Sequence, residues 1–150
     1  MFVIDRLHFL LHRTERRNLA SALIGEIVAV LRAFEVTGLV EKLEAAADVD
    51  GIAPQLSLPP FIAYRAIAQK LDRFSAPLPR QIVFFYTRLS AIEGDLRMID
   101  SAASEQEAHR KGQLQMILTE LQDTLRLGDE ILQSLRRIVS KRRPISITRA

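Results

Sequence analysis

The sequence predicts an all-α fold, an elongated antiparallel helical bundle of three long arms built from four helices with coiled-coil-like packing. Apolar residues recur at steps of three and four in nearly every long segment, which is the spacing of one helix face. Period-two alternation bounded by turn residues, which would indicate strands, is not found. The 150 residues, 48% of them apolar, are enough for one domain with a hydrophobic core.

The first helix is predicted from about Glu15 to Ala47. Its apolar stripe and the residues that widen it share the three- and four-residue spacing: Leu23, Ile24, Ile27, Val28, Val30, Leu31 and Phe34. Gly38 weakens the middle of this helix, so we expect a bend there. The segment DVDGIAPQLSLPP then ends the helix, because each proline lacks an amide donor and favours extended backbone before it.

Two further helices flank the segment SAPLP. A short helix is predicted from Pro60 to about Phe74, and a longer one begins at Pro79. Both start at prolines, which suit a first turn whose amides are unpaired. The longer helix carries a continuous alternation of three and four steps in Ile82, Phe85, Leu89, Ile92, Leu96 and Ile99.

The last helix has the clearest start signal. Ser104 and Glu107 have the spacing of a capping box, and the helix is predicted to continue to about Arg142. Two interleaved sets of residues spaced by sevens form a seam of coiled-coil type: Leu114, Leu118, Leu121, Leu125, Gly128, Leu132, Leu135 and Val139. We expect this seam to support self-association as a homodimer. Gly128 is interpreted as a gap or slight bend in the seam, and close approach of another backbone is the alternative.

The predicted lengths indicate an elongated molecule. At 1.5 Å per residue the last helix would be about 58 Å long and the first about 50 Å, whereas a compact globule of this size has a diameter of about 40 Å. Two layouts remain open for the middle helices. They lie end to end as one broken arm of a three-layer bundle, or they form a hairpin at SAPLP and give four layers.

The net charge of +3 is unevenly distributed. After Glu130 there is no acidic residue, and the six basic residues of the last fifteen leave the first 135 residues at −3. These six are Arg136, Arg137, Lys141, Arg142, Arg143 and Arg149. Such a tail suits an anionic membrane surface or a nucleic-acid phosphate backbone, while its first members also complement the negative end of a long helix. We interpret the tail first as a solvated helix end. An anionic membrane surface is the alternative, and nucleic acid is a less favoured one.

The chain divides into an amphipathic N-terminal segment (1–14), a helical bundle domain (15–142) and a basic tail (143–150). Lipid-facing apolar residues and basic residues at the headgroups would make the N-terminus an in-plane anchor. No stretch reaches the roughly 18 uncharged apolar residues needed to cross a bilayer. The absence of cysteine excludes disulfides and fits a reducing compartment. We therefore expect a cytoplasmic protein at the inner membrane surface.

Residues 59–89 contain both tyrosines of the chain. With Phe61, Phe84 and Phe85 they are interpreted as a packing joint, and a stacking platform for bases is the alternative. The same stretch resembles a family of small bacterial helical proteins that have no assigned activity and often an N-terminal membrane helix. The shared pattern is Tyr64, Ala66, Ala68, Leu71, Leu78, Ile82, Val83, Phe85 and Tyr86. The resemblance implies a helical, membrane-proximal protein without catalytic residues.

Candidates for catalysis or metal binding are few. His8 and His12 lie four residues apart, as do Glu105 and His109, but neither pair has the further ligands of a metal site. Glu26 is the one acid within a strongly apolar helix and is interpreted as a residue on the wet face. The alternatives are a cap on a polar network or an ion pair with Arg32. We therefore predict a non-enzymatic scaffold or interaction protein with no cofactor.

Overall fold

The computed structural model describes residues 2–48, 53–101 and 107–140, and all of the regular structure in these ranges is helical. Five α-helices and one 3₁₀ helix follow one another: α1 (Phe2–Thr37), α2 (Leu39–Asp48), α3 (Ile62–Ile67), the 3₁₀ helix (Ala68–Arg73), α4 (Leu78–Ser101) and α5 (Glu107–Ser140). The all-α prediction is confirmed, with five α-helices in the described ranges where four were predicted. The capping residue Ser104 lies outside these ranges.

The first arm of the bundle consists of α1 and α2, which meet at Gly38. Gly38 has a φ of +58°, in the left-handed region that favours glycine, and its amide donates to the carbonyl of Glu35 at 3.2 Å. A side chain would be strained there, so Gly38 explains both the predicted bend and the additional helix. The arm also begins earlier than the predicted Glu15, since α1 is already helical at Phe2.

The chain between α2 and α4 returns along α1 in the opposite direction. Near the start of α3, the amide of Ala63 lies 2.6 Å from Glu26 Oε2. Near the end of the 3₁₀ helix, Lys70 Nζ lies 2.9 Å from Glu15 Oε1. Residue numbers therefore increase along this segment where they decrease along α1, so the two segments run antiparallel.

The segment SAPLP reverses the chain once more. The ring of Tyr86 on α4 stacks on the ring of Tyr64 on α3, with 4.1 Å between their centroids. Two helices laid end to end could not bring these rings together, because Tyr64 and Tyr86 lie 22 positions apart on opposite sides of the turn. Of the two layouts left open by the sequence, the contacts show the hairpin.

The central helix of the bundle is α5, which packs against α1, α2 and α4. Its 34 residues extend over about 51 Å, so the bundle is elongated as predicted. The largest fully buried side chains come from α1, α2, α4 and α5 and form one core: Leu23, Ile27, Leu43, Ile82, Phe85, Tyr86, Leu89, Ile92, Leu96, Leu114, Leu121 and Ile131.

Candidate functional site

Basic side chains from three separate elements meet at one end of the bundle. Because α5 runs antiparallel to α1, its last turns lie beside the basic cluster near the start of α1. Arg17 Nη2 donates to the carbonyl of Val139 at 3.0 Å, which fixes this register. We call this region the basic end, defined by Arg13, Arg16, Arg17, Lys70, Arg73, Arg136 and Arg137. In the sequence these residues lie as much as 124 positions apart, and the fold brings them together.

An open cleft of about 470 Å³ lies in the basic end, between α1, the 3₁₀ helix and α5. We call it the arginine cleft. Four arginines, against one acidic residue, give its lining a net positive charge whether or not the histidine is protonated. The lining residues are His12, Arg13, Arg16, Arg17, Asp72, Arg73 and Ile138.

Two of the cleft arginines are held in place by the protein. Arg17 donates to the carbonyl of Val139 in the last turn of α5, where a cation also complements the helix dipole. Arg73 Nη1 lies 2.7 Å from His12 Nδ1, and its Nε lies 4.0 Å from Glu15 Oε2. These contacts fix two guanidinium groups before any ligand arrives.

Glu15 connects the 3₁₀ helix to α1. Lys70 donates to its Oε1 at 2.9 Å, and this hydrogen bond, with the charges of Lys70 and Arg73, lowers the pKa of Glu15 below its usual 4.5. The carboxylate is therefore occupied by neighbouring cations. It offsets part of the positive charge of Lys70 and Arg73.

Arg16 differs from the other cleft arginines. Its Nε is shielded from solvent and has no hydrogen-bond acceptor within the described protein. A buried N–H without an acceptor is unfavourable. Arg16 also lines the arginine cleft.

Glu26 lies at the centre of a second polar arrangement, between α1, α3 and α4. Its carboxylate accepts hydrogen bonds from the amides of Ala63 at 2.6 Å and Tyr64 at 3.0 Å, and from the hydroxyl of Tyr86 at 2.8 Å. The interpretation of Glu26 as a wet-face residue is therefore wrong, and the alternative of a cap on a polar network is correct. No local pattern around Glu26 indicates this network, because the three donors lie 37 to 60 positions away.

The aromatic residues of the stretch 59–89 pack around this carboxylate. Besides its stacking on Tyr64, Tyr86 makes edge contacts with Phe61 and Phe85. Burial, followed by the neighbouring Glu26, raises the pKa of Tyr86 far above its usual 10. The packing-joint prediction is confirmed for these four rings. Phe84 differs, since it is about half exposed and carries the guanidinium of Arg88 4.7 Å from its ring centroid.

The seam predicted for self-association lies inside the single chain. Six of its eight positions are buried, and Leu125 and Val139 are partly buried against the core. A second copy could reach these residues only if the bundle opened. The buried members are Leu114, Leu118, Leu121, Gly128, Leu132 and Leu135.

Gly128 is a point of close approach and not the gap or bend that was predicted. A Cβ built on it would lie 2.8 Å from Phe85 Cε2 and 3.2 Å from Leu31 Cδ2. The alternative predicted from the sequence was close approach of another backbone. The group that approaches is instead the Phe85 ring on α4. Seven-residue spacing identified the position without identifying this neighbour.

The other predicted residues are placed as follows. Arg136 and Arg137 are exposed on the last turns of α5, whereas Lys141, Arg142 and Arg143 lie outside the described residues. The side chain of His8 and all of Glu105 are also outside them. Within the described part of the chain, no three His, Asp or Glu residues are grouped to hold a metal ion. In the same part, no helix has the length and apolar character needed to cross a membrane.

Sequence reasoning missed an apolar groove between α4 and α5 at the opposite end of the bundle. Met98 and Met116 are 70% and 68% exposed and flank a cleft of about 420 Å³ with Ile99 and Ile117. Large apolar side chains exposed together indicate a contact surface. The periodicity placed both methionines off the core stripe but could not show that they adjoin.

Comparisons of the chain with protein-family models, with curated proteins and with solved structures found no match. The resemblance to a bacterial family of helical proteins therefore stays a prediction, and the function is argued from the geometry.

Proposed function

We propose that this chain is a non-enzymatic interaction protein that attaches through its basic end to an anionic membrane surface. The observation that carries the proposal is the convergence of arginines from α1 and α5, with Lys70 and Arg73, at the end where α1 begins. The N-terminal segment predicted to be amphipathic belongs to the same helix, α1. Basic residues beside an amphipathic helix are the combination that binds anionic lipid.

The distribution of charge along the bundle supports this orientation. Residues 11–17, 68–73 and 133–140 hold seven basic and two acidic residues. At the opposite end, residues 39–48, 93–101 and 107–120 hold eight acidic and four basic residues. An anionic surface would attract the first end and repel the second, so the bundle would stand with its acidic end away from the membrane.

The hydrogen bonding of the Glu26 carboxylate supports a non-enzymatic role. A general acid or base needs a proton-exchanging group that reaches the substrate. Both oxygens of the Glu26 carboxylate already accept hydrogen bonds from the protein. This acid is therefore best explained by the fold it stabilises.

The test is cosedimentation of the full chain with vesicles of phosphatidylcholine alone and of phosphatidylcholine mixed with phosphatidylserine. We expect binding only to the anionic vesicles, weakening as salt is raised because exposed charges are screened. Equal binding to both vesicles, or no binding at low salt, would overturn the proposal.

Nucleic acid is the alternative anionic partner. Duplex DNA added to the protein–vesicle mixture distinguishes the two. Displacement of the protein from the vesicles by DNA at equal phosphate concentration would favour the nucleic-acid alternative. Retention on the vesicles would support the membrane surface.

Self-association is a second candidate function, and the groove flanked by Met98 and Met116 favours it. Asp95 and Glu120 also line this groove, so its rim is acidic. Two copies packed antiparallel would place the basic end of each beside the acidic rim of the other. Light scattering should then show a dimer for the native chain and a monomer for Met116→Glu. A native monomer at high protein concentration would reject this candidate.

A further inference from the structure

We propose that the arginine cleft binds a phosphate monoester, a group present on the lipid phosphatidate and on small soluble phosphates. This inference rests on the proposed function where the membrane is the source of the phosphate. It adds a specific headgroup site to a surface that would otherwise act by charge alone. The cleft volume of about 470 Å³ lies within the range of small-ligand sites.

The lining fits a phosphate monoester better than a carboxylate or a phosphodiester. A guanidinium group presents its N–H donors as a planar fork and pairs with two phosphate oxygens at once. A monoester has three terminal oxygens and a charge near −2, so it can engage more than one guanidinium. A carboxylate or a phosphodiester has one negative charge and two such oxygens, so it would engage fewer of the cleft arginines.

The cleft is partly organised in advance. Arg17 is fixed by the carbonyl of Val139, and Arg73 is fixed by His12 and Glu15. Ordering a long side chain on binding reduces affinity, and this cost is smaller for side chains that are already held. Arg16 lines the same cleft, and its Nε has no acceptor in the described protein, so its guanidinium is the one that the proposal assigns to the phosphate.

The experiment measures the preference of the full chain for phosphatidate over phosphatidylserine, in phosphatidylcholine vesicles matched for surface charge. We expect the native chain to bind phosphatidate vesicles about tenfold more tightly, as one or two charge-assisted hydrogen bonds would provide. In both Arg16→Gln and Arg16→Lys this ratio should fall to about one. The lysine variant keeps the charge and loses the fork, so it separates recognition from simple attraction.

Arg136→Gln is the matched control, because Arg136 lies in the basic end but does not line the cleft. It removes one charge, and we expect it to weaken binding to both lipids while the ratio is kept. Circular dichroism establishes that each variant is folded. A native ratio of about one, or a lysine variant that keeps the native ratio, would overturn the cleft proposal.

A binding experiment with soluble phosphates tests the cleft proposal separately from the membrane proposal. The chain is titrated with glycerol 3-phosphate and with inorganic phosphate in a calorimeter. Binding of either, lost in Arg16→Gln, without vesicle binding would support the cleft as a site for soluble phosphates and reject the membrane proposal. Vesicle binding without any lipid preference would leave the membrane proposal standing and reject the cleft. Binding of neither the soluble phosphates nor the vesicles would reject both.

Discussion

The hydroxyl of Tyr86 on α4 donates to Glu26 Oε1 on α1 at 2.8 Å, and this bond joins two arms of the bundle. The same carboxylate accepts the first free amides of α3, where a negative charge also complements the helix N-terminus. One side chain therefore holds three elements together. The aromatic rings around this carboxylate partly shield its hydrogen bond with Tyr86 from water.

Replacement of Glu26 is predicted to destabilise the fold more than replacement of its tyrosine partner. Tyr86→Phe should cost about 1–2 kcal/mol and Glu26→Ala about 2–4 kcal/mol, because the latter leaves two amides and a hydroxyl without their acceptor. Urea denaturation monitored by circular dichroism measures both. Glu44→Ala, at an exposed position on α2, is the control and should change little. Equal losses for Glu26→Ala and Glu44→Ala would contradict the role assigned to Glu26.

Alkaline pH is predicted to destabilise the protein through Tyr86. Its folded-state pKa is raised above the usual 10, so the folded state favours the protonated hydroxyl. That contribution to stability is complete below the unfolded-state pKa and declines as the pH rises above it. The chain has two tyrosines, so Tyr86 is the sole tyrosine of the Tyr64→Phe variant. Its ultraviolet titration should coincide with unfolding, and a titration near pH 10 in a folded protein would refute this.

Gly128→Ala is predicted to destabilise the bundle although alanine is the better helix former. The new Cβ would lie 2.8 Å from Phe85 Cε2, and the Phe85 ring is fully buried and cannot move aside freely. Overpacking of about 1–3 kcal/mol should exceed the helix-propensity gain of about 1 kcal/mol. Denaturation midpoints measure the difference.

Gly112→Ala provides the matched control for Gly128. Gly112 lies on the same helix and is exposed, and a Cβ built on it would meet no atom within 4 Å. It should therefore show the helix-propensity gain alone and stabilise the protein by up to about 1 kcal/mol. A stabilised Gly128→Ala protein would show that the ring moves aside easily.

The sequence was sufficient for the helices and insufficient for the contacts between them. Three- and four-residue spacing depends on local geometry, so it identified the core stripe from Ile82 to Ile99. The low helix propensity of glycine likewise identified the bend at Gly38. The charge of Glu26, by contrast, is compensated by groups from α3 and α4, and no local pattern contains them. The arginine cleft was hidden for the same reason, because Arg16 and Ile138 become neighbours only when α1 and α5 pair.

Acid is predicted to weaken the contact between α1 and the 3₁₀ helix. Lys70 lowers the pKa of Glu15 from its usual 4.5, so the carboxylate contributes stability above that value and loses it as the pH falls through the lower folded-state pKa. Carbon-detected NMR titration of Glu15 measures the shift directly. Lys70→Gln should move the pKa of Glu15 upward, whereas Lys42→Gln on α2 should leave it unchanged. An unchanged Glu15 titration in Lys70→Gln would show that this ion pair does not form in solution.

Leu121→Ala tests whether the seam of α5 belongs to the fold of one chain. Leu121 is fully buried, so the substitution should cost about 2–5 kcal/mol, while Gln122→Ala at the exposed neighbour should cost little. Urea midpoints of the native chain should be the same at low and high protein concentration, because an intramolecular seam does not depend on mass action. A native midpoint that rises with concentration, and a Leu121→Ala protein that loses this rise, would assign the seam to an interface between copies.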